Sequence, residues 1–129
     1  MKKIVFVMPN KGFSGAEKVV IQIINGIKDV YDCYYMSQSG MINLYLKENN
    51  INHIITEKKL DRSELKRILN NLKPDIVVAT DYRASVVMAM IKGKYKLISH
   101  LHNNPSWIKK ININSVTFAI SSVKFDKIF

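Results

Sequence analysis

Short apolar runs alternate along this chain with longer stretches in which apolar side chains return every three or four residues. The first run, Ile4-Val5-Phe6-Val7-Met8, is rich in β-formers and predicts a strand buried on both faces. Beyond the turn Pro9-Asn10-Lys11-Gly12-Phe13-Ser14-Gly15, residues Ala16, Val19, Val20, Ile23, Ile24 and Ile27 share one helical face. Ser14 stands where it can cap that helix, and Glu17 three residues on completes a capping-box pattern. The same alternation then repeats. Residues 31–37 read as a second strand, Met41, Ile42, Leu44, Tyr45 and Leu46 as a short helix, and 52–56 as a third strand. Asp61 and Glu64 form another capping box ahead of Leu65, Ile68, Leu69 and Leu72, and Lys73-Pro74-Asp75 stops that helix. A fourth strand at 76–80 leads through Asp81, Tyr82 and Arg83 into a helix bearing Ala84, Val87, Met90 and Ile91. Residues 96–102 predict a fifth strand, 103–115 a polar loop around Trp107, and 116–120 a sixth strand. A helix starting at Ser122 and carrying Val123, Phe125, Ile128 and Phe129 closes the pattern. It has no cap or partner, and reads as the edge of a domain cut from a longer chain.

Strand and helix in regular alternation predict an α/β fold: a Rossmann-like three-layer sandwich, its mostly parallel sheet of about six strands covered by helices on both faces. Ligands of such sheets bind at the carboxyl ends of the strands. That edge collects residues 10–15, 37–40, 81–83 and 100–103 from distant parts of the chain. The first turn has the spacing Gly-x-x-Gly, which is neither the dinucleotide fingerprint nor a Walker A loop. Two readings stand side by side. Gly12 permits the turn and Gly15 lets helix and strand pack closely, or the turn aims backbone N–H groups and a helix N-terminus at an anion.

Composition narrows the class. The 129 residues make one domain, and 47% hydrophobic residues with a mean hydropathy of −0.03 suit a globular chain. Cys33 is the one cysteine, so an intrachain disulfide is excluded, a pattern that fits a cytosolic compartment. Cys/His clusters of metal-binding spacing are absent. Met-Lys-Lys and the apolar run after it resemble a leader only briefly, because Pro9-Asn10-Lys11 ends the run and no cleavage site follows. Twenty Lys+Arg against ten Asp+Glu give a net charge of +10 and favour anionic partners. A specific nucleic-acid motif is not evident. The cations Lys58, Lys59, Arg62, Lys66 and Arg67, with Lys109 and Lys110 beside Trp107, suit an anionic membrane surface or an ordinary solvated face.

Several of these stretches together resemble the N-terminal domain of a GT-B glycosyltransferase of the large retaining family 4. The first strand and its loop through Ser14-Gly15-Ala16-Glu17-Lys18 are similar to that family's Gly-Gly-Ala-Glu-Arg start, with Ser14 in place of the first glycine. Lys73-Pro74-Asp75-Ile76-Val77 resembles its Pro-Asp-hydrophobic fourth strand, Ser99-His100-Leu101-His102-Asn103 its strand ending in histidine, and Phe118-Ala119-Ile120-Ser121-Ser122 its strand before a serine-initiated helix. The resemblance implies that residues 1–129 are the acceptor-side half of an enzyme whose donor-binding domain is absent here. The family's Glu-x7-Glu pair belongs to that other domain, and no two of Glu17, Glu48, Glu57 and Glu64 have the spacing. The fragment alone is then inactive.

By position, the resemblance gives Gly15 and Ser14 the donor diphosphate and His102 a catalytic place beside the transferred sugar. A neutral histidine satisfied near a strand end is the competing reading of His102, and His100 lies on the same face. Asp81, Tyr82, Arg83 and Asn103 fall where acceptor contacts are expected, with residues 37–40 added to the acceptor wall. Arg83 either grips a phosphate or sits on the helix surface. His53 reads as structural or exposed. The partners implied are a nucleotide-sugar as co-substrate, a sugar or lipid-linked acceptor and an anionic membrane surface, with no cofactor or metal and a cytoplasmic or inner-face location. The alternative is a non-catalytic flavodoxin-like module binding a nucleotide or phosphate, for which only Tyr82 supplies a flanking aromatic.

Overall fold

The computed structural model describes residues 1–13, 15–91, 93–99 and 127–128, with the side chains of Tyr82, Lys127 and Ile128 outside that set. Its elements follow the alternation: β1 Lys3–Val7, α1 Gly15–Ile27, β2 Asp32–Gln38, α2 Ile42–Glu48, β3 Asn52–Thr56, α3 Arg62–Leu72, β4 Ile76–Ala79, α4 Tyr82–Met90, β5 Lys96–Ser99 and β6 Lys127–Ile128. The strands form one sheet in the order β3-β2-β1-β4-β5-β6, and every adjacent pair is parallel. The α/β, Rossmann-like reading of the sequence holds.

Side-chain alternation divides the core in two. Ile4, Phe6 and Met8 of the first strand and its exit join Cys33, Tyr35 and Val78 on one face, under Val20, Ile21 and Ile24 of α1 and Ile42 and Leu46 of α2. Val5, Val7, Met36, Val77, Ala79 and Leu97 face the other way, onto Leu65 and Leu69 of α3 and Ala84 and Met88 of α4. Because both faces are covered, β1 reads as an unbroken apolar run. Burial pushes the Cys33 thiol up to about 11, with the Asp32 carboxylate adding to it.

The starts of β1 and β4 are tied by Asp75. Its carboxylate accepts from the Lys3 N–H at 2.8 Å, and its own N–H donates to the Lys3 carbonyl at 3.0 Å. Upstream, α3 ends on Lys73 in the left-handed conformation (φ 53°), and Pro74 follows, as a helix stop requires. Among the described residues, no helix is long and apolar enough to cross a membrane.

One end of the chain corrects the sequence reading. Lys127 and Ile128 pair with Ile98 and Ser99 as β6, where a helix continuing from Ser122 was expected. The outer edge of β5 offers unpaired N–H and C=O groups, and a β-branched residue beside that edge gains more from the ladder than from an unpartnered helix. The expected sixth strand at 116–120 lies outside the described residues.

Candidate functional site at the carboxyl edge of the sheet

The strand order turns back between β1 and β4, so the turns that leave these two strands border the same crevice. Thr80, at the exit of β4, holds the two strand ends together. Its hydroxyl donates to the Val7 carbonyl at 2.9 Å, and its N–H reaches the same oxygen at 3.3 Å.

Two neighbours shape the turn after β1. The Ile42 N–H donates to the Lys11 carbonyl at 3.1 Å, and Gly40 packs so closely that a Cβ there would lie 2.7 Å from that oxygen. Glycine at 40 is therefore a steric requirement. Phe13 stacks on Tyr45 of α2, ring centroids 3.6 Å apart and planes 7° from parallel, with the Lys18 ammonium 5.5 Å from the Phe13 centroid. Gly12 and Gly15 differ from Gly40. Neither has a positive φ, and a Cβ on either would meet nothing within 4 Å. The close-packing account of Gly15 thus finds no support in its surroundings. Gly15 is exposed at the start of α1, while Glu17 is buried at 1% exposure.

Asp81 opens α4 as its N-cap. One carboxylate oxygen accepts from the Ala84 N–H at 2.8 Å, and the other lies 3.4 Å from Arg83 Nε. Arg83, half exposed, also donates from Nη2 to Asn10 Oδ1 at 3.3 Å. Asn10, Asp81 and Arg83 therefore come together, joining the turns after β1 and β4. Arg83 reaches from α4 to the turn after β1 with its side chain half exposed. The cap and the arginine contact account for Asp81 without any ligand. The backbone of Tyr82 begins α4. Ser14, His100, His102 and Asn103 lie outside the described residues.

Two further features of this edge escaped the sequence reading. Ser37 Oγ donates to the Gln38 carbonyl at 3.0 Å and stands 2.9 Å from His53 Nε2. The pair bolts β3 to β2. Burial pulls the His53 pKa below 6.5, opposed by a hydrogen bond to the Ser37 backbone. Only the β2–β3 register, which sets His53 opposite Tyr35, brings these residues together. The second feature lies after β3, where the Glu64 carboxylate accepts from the N–H groups of Glu57 (2.7 Å) and Lys58 (3.0 Å). Asp61 caps α3 as predicted, accepting from the Glu64 N–H at 2.9 Å, but Glu64 reaches past the cap into the loop. Tyr35 is wholly buried with a hydroxyl that has no partner among the described residues, and burial together with the nearby Glu17 carboxylate drives its pKa far up.

Lys58, Lys59, Arg62, Lys66 and Arg67 are exposed on α3 and the loop before it; Trp107, Lys109 and Lys110 lie outside the described residues. Among the described residues, no group of three His, Cys, Asp or Glu could hold a metal ion.

No family model matches the sequence, and no curated protein matches it. Solved structures do. HepE from Anabaena, in complex with UDP-glucose, superposes with a TM-score of 0.66 at 21% identity over 80% of this chain and 30% of its own. A glycosyltransferase from Rickettsia africae ESF-5 gives 0.61 at 21% identity over 89% of this chain and 34% of its own. Saccharopine dehydrogenase from Saccharomyces cerevisiae gives 0.53 at 14% identity over 84% and 24%. The chain thus spans about a third or less of the proteins it matches, and at these identities the likeness is one of fold. A dehydrogenase among them makes the point that this sheet serves more than one chemistry.

Proposed function

We propose that this chain is the acceptor-side domain of a nucleotide-sugar-dependent, retaining GT-B glycosyltransferase of the family 4 kind. It acts on a sugar or lipid-linked acceptor in the synthesis of a cell-surface polysaccharide or glycolipid, at the cytoplasmic face of the membrane. The observation that carries this reading is the carboxyl edge between β1 and β4, where Arg83 joins Asn10 in the turn that leads to the uncrowded start of α1. The fold likeness to HepE, solved with UDP-glucose and with UDP and glucose, supports it.

Retaining transfer requires stabilisation of an oxocarbenium-like sugar and of the departing diphosphate. The backbone N–H of Gly15, with Ser14 beside it, meets the diphosphate at the positive end of α1. His102 reaches the transferred sugar, a role that rests on the motif resemblance. Asp81, Tyr82, Arg83 and Asn103 line the acceptor side, where the guanidinium of Arg83 suits an anionic group. A second domain carries most of the donor, so this domain alone does not turn over.

Backbone NMR of the isotope-labelled chain tests the reading. UDP-glucose at ~1 mM is expected to shift the amides of Gly12 and Gly15 and to leave Asp75, at the opposite edge, unmoved. The absence of shifts with UDP-, GDP- and ADP-sugars alike would overturn it. Tight, coloured binding of a flavin at the same amides would make the chain a flavodoxin-like module instead.

A further inference from the structure

A cavity of about 620 Å³ opens at the amino edge of the sheet, between the end of α3 and the starts of β4 and β5. Its apolar walls come from Leu69 of α3, the buried Pro74 and Tyr95. The Tyr95 ring lies so close over Gly93 that a Cβ there would overlap it, so only glycine leaves the ring this place. Lys73 and Lys94 stand at the cavity, both exposed, and among the described residues neither ammonium has a hydrogen-bond or ion-pair partner. Lys73 is fixed there by the left-handed turn that ends α3. The Tyr95 hydroxyl is buried and also has no partner among the described residues. Three donors thus border one cavity and lack an acceptor. Asp75 is the acid in the lining, and its carboxylate already accepts from the Lys3 N–H at 2.8 Å. The Asp75 carbonyl accepts from the Lys96 N–H at 3.0 Å, so the starts of β1, β4 and β5 together hold this wall in place.

We infer that this cavity binds a small organic carboxylate, its apolar body against Leu69, Pro74 and Tyr95 and its anionic head at Lys73 and Lys94. The size suits such a ligand, since cavities of roughly 300–1,000 Å³ hold small molecules. Charge sets the head group. Two lysines and one aspartate leave the lining at a net charge of +1, which a single carboxylate neutralises. A phosphate monoester carries about −1.5 to −2 at neutral pH and exceeds it. A nucleotide-sugar, charged twice and polar along its length, suits the apolar walls poorly. None of these residues belongs to the carboxyl edge, so the site stands apart from the glycosyltransferase reading.

Backbone NMR of the labelled chain, titrated at constant ionic strength with sodium benzoate, benzyl alcohol or inorganic phosphate, tests it. Benzoate is expected to shift the amides of Lys73, Lys94 and Tyr95 saturably, with a dissociation constant on the order of 1 mM. Benzyl alcohol, a similar body without the charge, should bind at least about tenfold more weakly. Lys73→Asn with Lys94→Gln should weaken benzoate binding by about tenfold. The melting temperature should not change, because asparagine tolerates the left-handed position. No saturable shift with benzoate overturns the site, as does an unchanged affinity in the lysine variant. Equal binding of benzyl alcohol would mean a cleft that reads no charge, and an equal effect of inorganic phosphate would mean an adventitious ion only. Either result overturns the carboxylate assignment. The Gly12 and Gly15 amides should stay in place, so failure here leaves the nucleotide-sugar test intact, and failure there leaves this one.

Discussion

The turns after β3 and β4 begin alike and end differently. Each leaves a parallel strand and enters a helix through an aspartate, Asp61 or Asp81, whose carboxylate accepts from the N–H three residues on. The difference lies in that third residue. After β3 it is Glu64, 9% exposed, whose carboxylate turns back and occupies the N–H groups of Glu57 and Lys58. A cavity of about 280 Å³ beside it is lined by Glu57, Lys58, Asp61, Ser63, Glu64 and Arg67, yet an internal anion already satisfies its backbone donors. After β4 the equivalent residue is Ala84, which packs in the core and supplies no such anion. There the exposed Arg83 reaches sideways to Asn10 and links two turns across the crevice. One turn is closed on itself, and the other faces outward.

The largest test of this contrast is Glu64→Ala, which strips the acceptor from two loop N–H groups. About 3 kcal/mol of stability should be lost in urea unfolding, and Glu64→Gln should lose roughly half as much. A cost below about 1 kcal/mol would mean that the loop does not depend on its internal anion. Next come the caps. Asp61→Ala and Asp81→Ala should each cost about 1 kcal/mol, because the cap bond is the same in both turns. A clear inequality would show that Arg83 adds to the second cap. Arg83→Ala should cost less than ~0.5 kcal/mol, given the exposure of its contacts. The same change should weaken binding of an anionic acceptor by about tenfold, and leave the nucleotide-sugar shift at Gly15 in place, if the outward-facing turn is the functional one.

The smallest effect concerns pH. His53 has a folded-state pKa below its ordinary 6.5, so the unfolded chain binds the proton more readily. Its contribution to stability is complete above that ordinary value. It declines as pH falls through 6.5 and is lost by the time pH has passed the folded value. His53→Asn should flatten this part of the stability–pH curve, as read from urea midpoints. An unchanged slope would remove His53 as its source.

The two turns also show how far local sequence carries. The capping residues Asp61 and Asp81 and the Lys73-Pro74 stop were legible, because each depends on neighbours within three or four residues. Glu64 was read as half of a capping box and instead serves a loop six and seven residues upstream, where the β3–α3 turn brings those N–H groups onto its carboxylate. Ser37 and His53 gave no pairing signal. They are 16 residues apart, and their meeting depends on the β2–β3 register. The convergence of Asn10 with Asp81 and Arg83 was legible in outline, through the rule that parallel sheets gather their turns at one edge.

What the sequence determined by itself was the succession of strands and helices and the two-faced burial of β1, because side-chain periodicity decides which residues leave water. Only the tertiary structure decided the order β3-β2-β1-β4-β5-β6, the pairing of Lys127 and Ile128 beside β5, and the contact of Arg83 with Asn10 across 73 residues. Those depend on which sheet edge each strand joins and in what register. That is settled by packing and hydrogen bonding between segments far apart in the chain, on which local periodicity has no purchase.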